Sequence, residues 1–272
     1  MKKFAQHLDR GFSFIELLLV IALLAMLVVL LLPVLRPAHR PPGVRRVQLE
    51  IAQIATAICA YEADHRSFPV SSNAKNAAIS SGQDFTFGTY GLQSGIRMPG
   101  GTYDVRALDV AGKPLSYQAN NSEVMAVLLD VEFWPNAPTV PTVNRGQVMN
   151  PQKTRYLNAA RAATTSSPGI GPDGVYRDPW GQPYIITIDL NGDKKARDAF
   201  YRASGISADQ SDESTPKRGL NGLIPTVVGG KTLYEANSPV VVWSAGADKM
   251  VDPGPGTSAN QGANKDNVLS WK

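Results

Sequence analysis

A single carboxylate lies near the start of a long apolar run in the N-terminal part of the chain. Glu16 is followed by residues 17–32, none of which has a charged, amide or hydroxyl side chain. With Phe12, Phe14 and Ile15, the run reaches the roughly 20 residues that a bilayer-spanning helix needs. An ionised carboxylate in such surroundings costs several kcal/mol unless a partner neutralises it. Glu16 is therefore a candidate functional residue that needs a cationic partner.

The residues before Glu16 offer such a partner. Lys2, Lys3 and Arg10 form a short positive leader, which ends at the small-to-large junction Gly11-Phe12. Cleavage at this junction would free the amine of Phe12, four residues before Glu16. Within one helix that amine lies about one turn away, and in a staggered neighbouring helix it can meet the carboxylate directly.

The string of residues 11–18, Gly-Phe-Ser-Phe-Ile-Glu-Leu-Leu, resembles the processing site of type IV pilins and type II secretion pseudopilins. The resemblance implies that a prepilin peptidase cleaves after Gly11 and methylates Phe12, and that Glu16 then pairs with the N-terminus of a neighbouring subunit. It also implies other pseudopilins and the inner-membrane platform of the secretion system as partners. An ordinary signal peptide and an uncleaved anchor are the alternatives. The first has a shorter apolar core, and the second does not need Glu16.

The basic residues are concentrated around the apolar run. Before residue 47 the chain has seven of its 27 Lys and Arg residues and two of its 23 Asp and Glu residues. The remainder therefore has 20 basic and 21 acidic residues. This near-neutral body lacks the positive surface expected of a nucleic-acid-binding protein. The charges on the two sides of the run do not decide its orientation. The resemblance implies a single-pass inner-membrane protein with its C-terminal domain in the periplasm.

The pattern of the remaining chain predicts an α+β fold. Pro37, Pro41 and Pro42 interrupt the first helix, and apolar residues at helical spacing predict an amphipathic helix over residues 44–64. Strands are predicted at 85–87, 184–188 and 240–243. Cys59 falls among apolar residues of the second helix, which predicts a buried thiol.

We therefore expect a pilin-like architecture, in which a long N-terminal helix with a membrane span, a proline break and an amphipathic part packs on an antiparallel β-sheet. The expected domains are a leader (1–11), a transmembrane helix (12–35), a proline-interrupted region with the amphipathic helix (36–69) and a periplasmic globular domain (70–272). Residues 194–238 are polar and are interpreted as an insertion. The turn at residues 178–184, Asp-Pro-Trp-Gly-Gln-Pro-Tyr, resembles a turn of the major pseudopilins.

Two acid-rich segments are candidates for calcium, which prefers six to eight oxygen ligands. The C-terminal segments 244–252 and 264–267 resemble the calcium-binding loop of the major pseudopilins. That resemblance implies Asp248 and Asp266 as ligands and Asp252 as a weaker candidate, although Lys249 stands where the family has glycine. Solvent-exposed acids in a turn are the alternative. Residues 189–193 match part of an EF-hand loop but lack its glycine and closing glutamate, so a structural turn explains them more simply.

The sequence carries no convincing catalytic signature. Residues 169–174 fit the pattern G-x-G-x-x-G, but a Thr- and Ser-rich stretch precedes them where a dinucleotide fold needs a strand. There is no H-E-x-x-H, no C-x-x-C and no phosphate-binding loop. We therefore predict a non-enzymatic pseudopilin subunit of a type II secretion filament. The alternatives are a major or minor type IV pilin and a membrane-anchored periplasmic binding protein.

Overall fold

The computed structural model of the protein describes residues 14–35, 42–93 and 95–272, without the side chains of residues 28–42. The chain divides into two compact units, residues 1–41 and residues 42–272. The processing residues Gly11 and Phe12 and the leader lie outside the described residues.

The first unit contains helix α1, Phe14–Leu35. Over residues 14–27, where its side chains are described, every residue is exposed. In the part of the chain that the structure describes, no helix combines the length and the apolar character required to cross a membrane. This finding contradicts the predicted single-pass inner-membrane location and the membrane span of the predicted fold.

The predicted fold class also needs correction. The described residues form a mixed α/β fold with five α-helices and several small sheets, without a single long apolar N-terminal helix. Helix α2 begins separately at Pro42 and ends at His65. The shorter helices are α3 (Ser72–Ser81), α4 (Ser122–Leu128) and α5 (Ser204–Ser207).

The strands are short. They are β1 (Phe85–Phe87), β2 (Ile96–Met98), β3 (Gly101–Tyr103), β4 (Phe133–Trp134), β5 (Ala137–Pro141), β6 (Gly169–Ile170), β7 (Tyr176–Arg177), β8 (Ile185–Ile188), β9 (Ile224–Val228), β10 (Lys231–Glu235), β11 (Val240–Ser244) and β12 (Val268–Leu269). The central sheet has the order β1-β8-β11-β12, and all of its strand pairs are antiparallel. The remaining strands form two-stranded pairs.

One face of the central sheet packs against α2. Alternate residues of β8 and β11 point to this face, as expected for a period of two, and they share one core with the buried stripe of α2. The stripe consists of Val47, Ile51, Ile54, Ile58 and Tyr61. Cys59 lies off this stripe and is exposed, so the predicted buried thiol is wrong.

The opposite face of the sheet is covered by residues from the polar segment 194–238. Phe200 and Tyr201 pack there against Trp243 of β11, and Tyr234 belongs to the same core. The Asp198 carboxylate anchors the segment, because it accepts hydrogen bonds from the side chains of Thr187 and Trp243 and from two backbone N–H groups. Segment 194–238, which is polar in composition, therefore contributes a buried layer to the domain.

Candidate functional site

Glu16 lies in the first turn of α1 and is the one ionisable residue of that helix. The side chains beside it are large, apolar and exposed, with Phe14 at 79% and Ile15 at 74%. An acid in the first turn is favoured by the positive end of the helix dipole, by about 0.3–1 kcal/mol. The proposed partner, the amine of Phe12, lies outside the described residues, so the pairing stays a prediction.

The structure brings two of the three predicted calcium ligands together. Asp266 Oδ2 accepts the backbone N–H groups of Ala247 at 2.9 Å and of Asp248 at 3.2 Å. Burial, with the neighbouring charge of Asp266 as a further cause, raises the pKa of Asp248. Asp266 Oδ1 is buried and has no hydrogen-bond partner among the described residues. Two adjacent carboxylates with one oxygen unsatisfied would supply part of the six to eight oxygen ligands that calcium takes.

Gly246 makes this arrangement possible. Its φ is +74°, and a Cβ at this position would lie 2.7 Å from Asp266 Oδ2. A side chain at residue 246 would therefore displace the carboxylate from the turn. The glycine that this loop needs is therefore Gly246, before Asp248. Lys249, which follows Asp248, also adopts the left-handed conformation, with a φ of +62°.

Asp252 belongs to a different hydrogen-bonded arrangement. Its Oδ1 accepts the N–H of Gly254 at 2.8 Å, and its Oδ2 accepts the hydroxyl of Thr257 at 3.0 Å. Asn264 holds this segment in place by exchanging two hydrogen bonds with the backbone of Asp252. Within the described ranges, no group of three or more His, Cys, Asp or Glu residues is placed to hold a metal ion. A cation here would have Asp248 and Asp266 as its acidic ligands, with carbonyl or water oxygens as the others.

The turn at residues 178–184 is tied to the central sheet through Asp178. Its carboxylate accepts the N–H groups of Trp180 and Gln182, each at 2.9 Å, and the hydroxyl of Ser244 at 2.6 Å. Burial raises the pKa of Asp178 to about 6. The Trp180 ring lies against Gly43, where a Cβ would approach it to 2.8 Å. The turn therefore positions the first turn of α2, a role for Gly43 that the sequence did not reveal.

A buried polar contact joins α2 to Tyr184, the residue that precedes β8. Glu50 lies one turn after Arg46 on α2, and its carboxylate accepts a hydrogen bond from Arg46 Nε at 2.8 Å. The same carboxylate accepts the hydroxyl of Tyr184, whose pKa is raised by burial. The spacing of Arg46 and Glu50 is the sequence signal for the ion pair, but nothing in the sequence pointed to Tyr184.

The second acid-rich segment forms a turn. The Asp189 carboxylate accepts the backbone N–H of Gly192 at 2.6 Å and of Lys194 at 2.7 Å. Asp193 likewise accepts the N–H of Lys195 at 2.9 Å. These short-range bonds satisfy the loop backbone, as expected for Asp and Asn in turns.

Comparison of the chain with protein-family models, with curated proteins and with solved structures finds no match.

Proposed function

We propose that the protein is a subunit of a pilin-like filament, in particular a pseudopilin of a type II secretion system, whose assembly depends on α1. The observation that supports this proposal most strongly is the surface of α1. Its large side chains are 41–79% exposed over the described part of the helix, and Glu16 is the one ionisable group among them.

An exposed apolar helix of this kind needs a covering surface. Burying one Leu or Ile side chain contributes about 1.5–3 kcal/mol, so several such residues per helix give a strong drive to association. Neighbouring copies of α1 would supply a covering of matching chemistry. We propose that the helices bundle by apolar packing in the filament.

Glu16 would determine the register of that bundle. Burying its carboxylate without a cation would cost several kcal/mol. The amine of Phe12 from a neighbouring copy, released by cleavage after Gly11, would neutralise the charge. The mechanism is therefore assembly. Glu16 destabilises registers in which its carboxylate has no cationic partner and stabilises the register in which it meets the Phe12 amine.

We further propose that Asp248 and Asp266 hold a calcium ion that stiffens the C-terminal loop. The turn around Trp180 and this loop favour the secretion pseudopilins over pilus subunits, because both segments resemble that group. In this proposal the chain carries out no catalysis.

The test is co-expression of the full-length chain with a prepilin peptidase and the assembly components of a type II secretion system. Mass spectrometry is expected to find a mature chain that begins with methylated Phe12, and sedimentation is expected to recover it in filaments. Glu16→Ala should be processed but excluded from filaments. Glu62→Ala, which removes an acid from α2, is the matched control and should assemble normally.

An intact Met1 after co-expression would contradict the proposal. Normal incorporation of Glu16→Ala would contradict the pairing mechanism even if processing occurs. Calcium binding without processing or assembly would separate the cation site from the proposed function.

A further inference from the structure

A hollow of about 310 Å³ lies on the globular unit beside the N-terminal end of α4. Tyr90, Tyr117 and Trp134 contribute aromatic rings to its wall, and Asn120 and Ser122 contribute polar groups. Its lining residues belong to the globular unit, between Tyr90 and Val143. The volume is within the range of small-ligand sites, which begins near 300 Å³.

The wall of this hollow is held in place by hydrogen bonds within the globular unit. The Glu123 carboxylate accepts the hydroxyl of Tyr117 at 2.6 Å and the N–H of Ser71 at 3.0 Å. Asn120 donates to the carbonyl of Tyr90 at 3.2 Å and accepts the N–H of Ser122 at 3.0 Å. The polar groups therefore have fixed positions before any ligand arrives, which lowers the entropic cost of binding.

Several hydrogen-bonding groups of the wall remain available. Within the described residues, the hydroxyls of Tyr90 and Ser122 make no hydrogen bond, and the Asn120 side-chain amide uses one of its two N–H groups. Tyr90 is 45% exposed, and the Arg106 guanidinium lies 5.3 Å from the centre of its ring. Free hydroxyl and amide groups can hydrogen-bond the hydroxyl groups of a ligand, and a neighbouring aromatic ring can pack against the C–H groups of the ligand's ring.

We propose that this hollow binds a sugar ring of a neutral glycan. The charge in the lining is that of Glu123, and both of its oxygens already accept hydrogen bonds. An anionic ligand would be repelled by this carboxylate, and the nearby Arg106 guanidinium lies outside the lining and is already paired with Asp104. The polar groups instead match sugar hydroxyls, and the exposed ring of Tyr90 matches the C–H face of a pyranose, whereas Trp134 is 8% exposed and closes the wall.

An extended peptide fits the hollow less well. The adjoining strand β5 contains Pro138 and Pro141, which have no N–H to donate to an added strand. A second hollow of about 430 Å³ shares Gly91 with the first, and its lining combines amide and hydroxyl residues with the ion pair of Asp173 and Arg177. The surface therefore offers room for a second sugar ring of the same glycan.

The test is binding of the full-length protein to an array of neutral glycans, followed by calorimetric titration of the best trisaccharide on that array. Saturable binding is expected. Tyr90→Ala should weaken it at least tenfold, and Ser122→Ala, which removes one hydrogen bond, about fivefold. Phe133→Ala removes a ring that is 40% exposed but does not line the hollow, and should leave binding unchanged.

Absence of binding to every neutral glycan would overturn the proposal. So would binding that survives Tyr90→Ala, or that is lost equally with Phe133→Ala. Circular dichroism of each variant establishes that it is folded. Tyr90→Phe keeps the ring and removes one hydroxyl, so it should weaken binding about fivefold, as Ser122→Ala does, and less than Tyr90→Ala.

Discussion

Calcium should stabilise the globular unit through Asp248 and Asp266. In the structure these acids lie together, and the Oδ1 atom of Asp266 is buried without a partner among the described residues. A cation bound there satisfies this oxygen and relieves the repulsion between the two carboxylates. At a calcium concentration of 100 times Kd, the expected stabilisation is about 2.7 kcal/mol. For a domain of this size, that corresponds to a rise in Tm of about 5–10 °C.

The assay is differential scanning calorimetry of the full-length protein with and without calcium, with magnesium as the ionic control. Asp266→Ala should abolish the rise and lower the Tm without calcium, because two backbone N–H groups lose their acceptor. Asp248→Asn should abolish the rise without lowering the Tm in the absence of calcium, since it removes a like charge. Asp252→Asn should keep the response. A calcium-induced rise of equal size in Asp266→Ala, or no rise in the wild type, would refute this assignment.

Three further predictions concern the globular unit. Asn121→Ala should destabilise it by about 3–5 kcal/mol in urea unfolding, because the side chain makes three buried hydrogen bonds with the backbones of Tyr176 and Tyr184; a loss below 1 kcal/mol would contradict this. Burial raises the pKa of Asp84 to about 7, so native Asp84 binds its proton more tightly than unfolded Asp84 and stability should fall as pH rises from about 4 to 7. Asp84→Asn should reduce the dependence of the free energy of unfolding on pH. An unchanged pH dependence would show that Asp84 is not its cause. Cys59 is exposed but has a raised pKa, mainly from partial burial, so maleimide should label the native protein more slowly than free cysteine; no labelling before denaturation would contradict the structure.

Strong periodic patterns were sufficient to locate the central elements. The spacing of Val47, Ile51 and Ile54 predicted a helix close to α2, and the apolar runs predicted strands close to β8 and β11. These elements form where local pattern and tertiary burial agree. The same reasoning failed for residues 194–238, because their buried aromatic residues are scattered among polar ones without a regular period.

The candidate sites were only partly predictable for a related reason. The resemblance named Asp248 and Asp266, which are 18 residues apart in the chain and lie together in the structure. The sequence gave no indication that Asp252 makes its hydrogen bonds in a separate arrangement. The approach of Trp180 to Gly43 joins segments that are far apart in the chain. Such contacts depend on how the elements pack, which a single sequence does not encode as a local pattern.

The most direct measurement of the central claim is zero-length carbodiimide cross-linking of filaments assembled from equal amounts of light and heavy-isotope chains. We expect mass spectrometry to find an amide between the Glu16 carboxylate and the Phe12 amine, with half of the linked peptides containing one light and one heavy chain. Linked peptides exclusively from within one chain, or filaments in which Glu16 has no cross-link to Phe12, would contradict the proposed assembly.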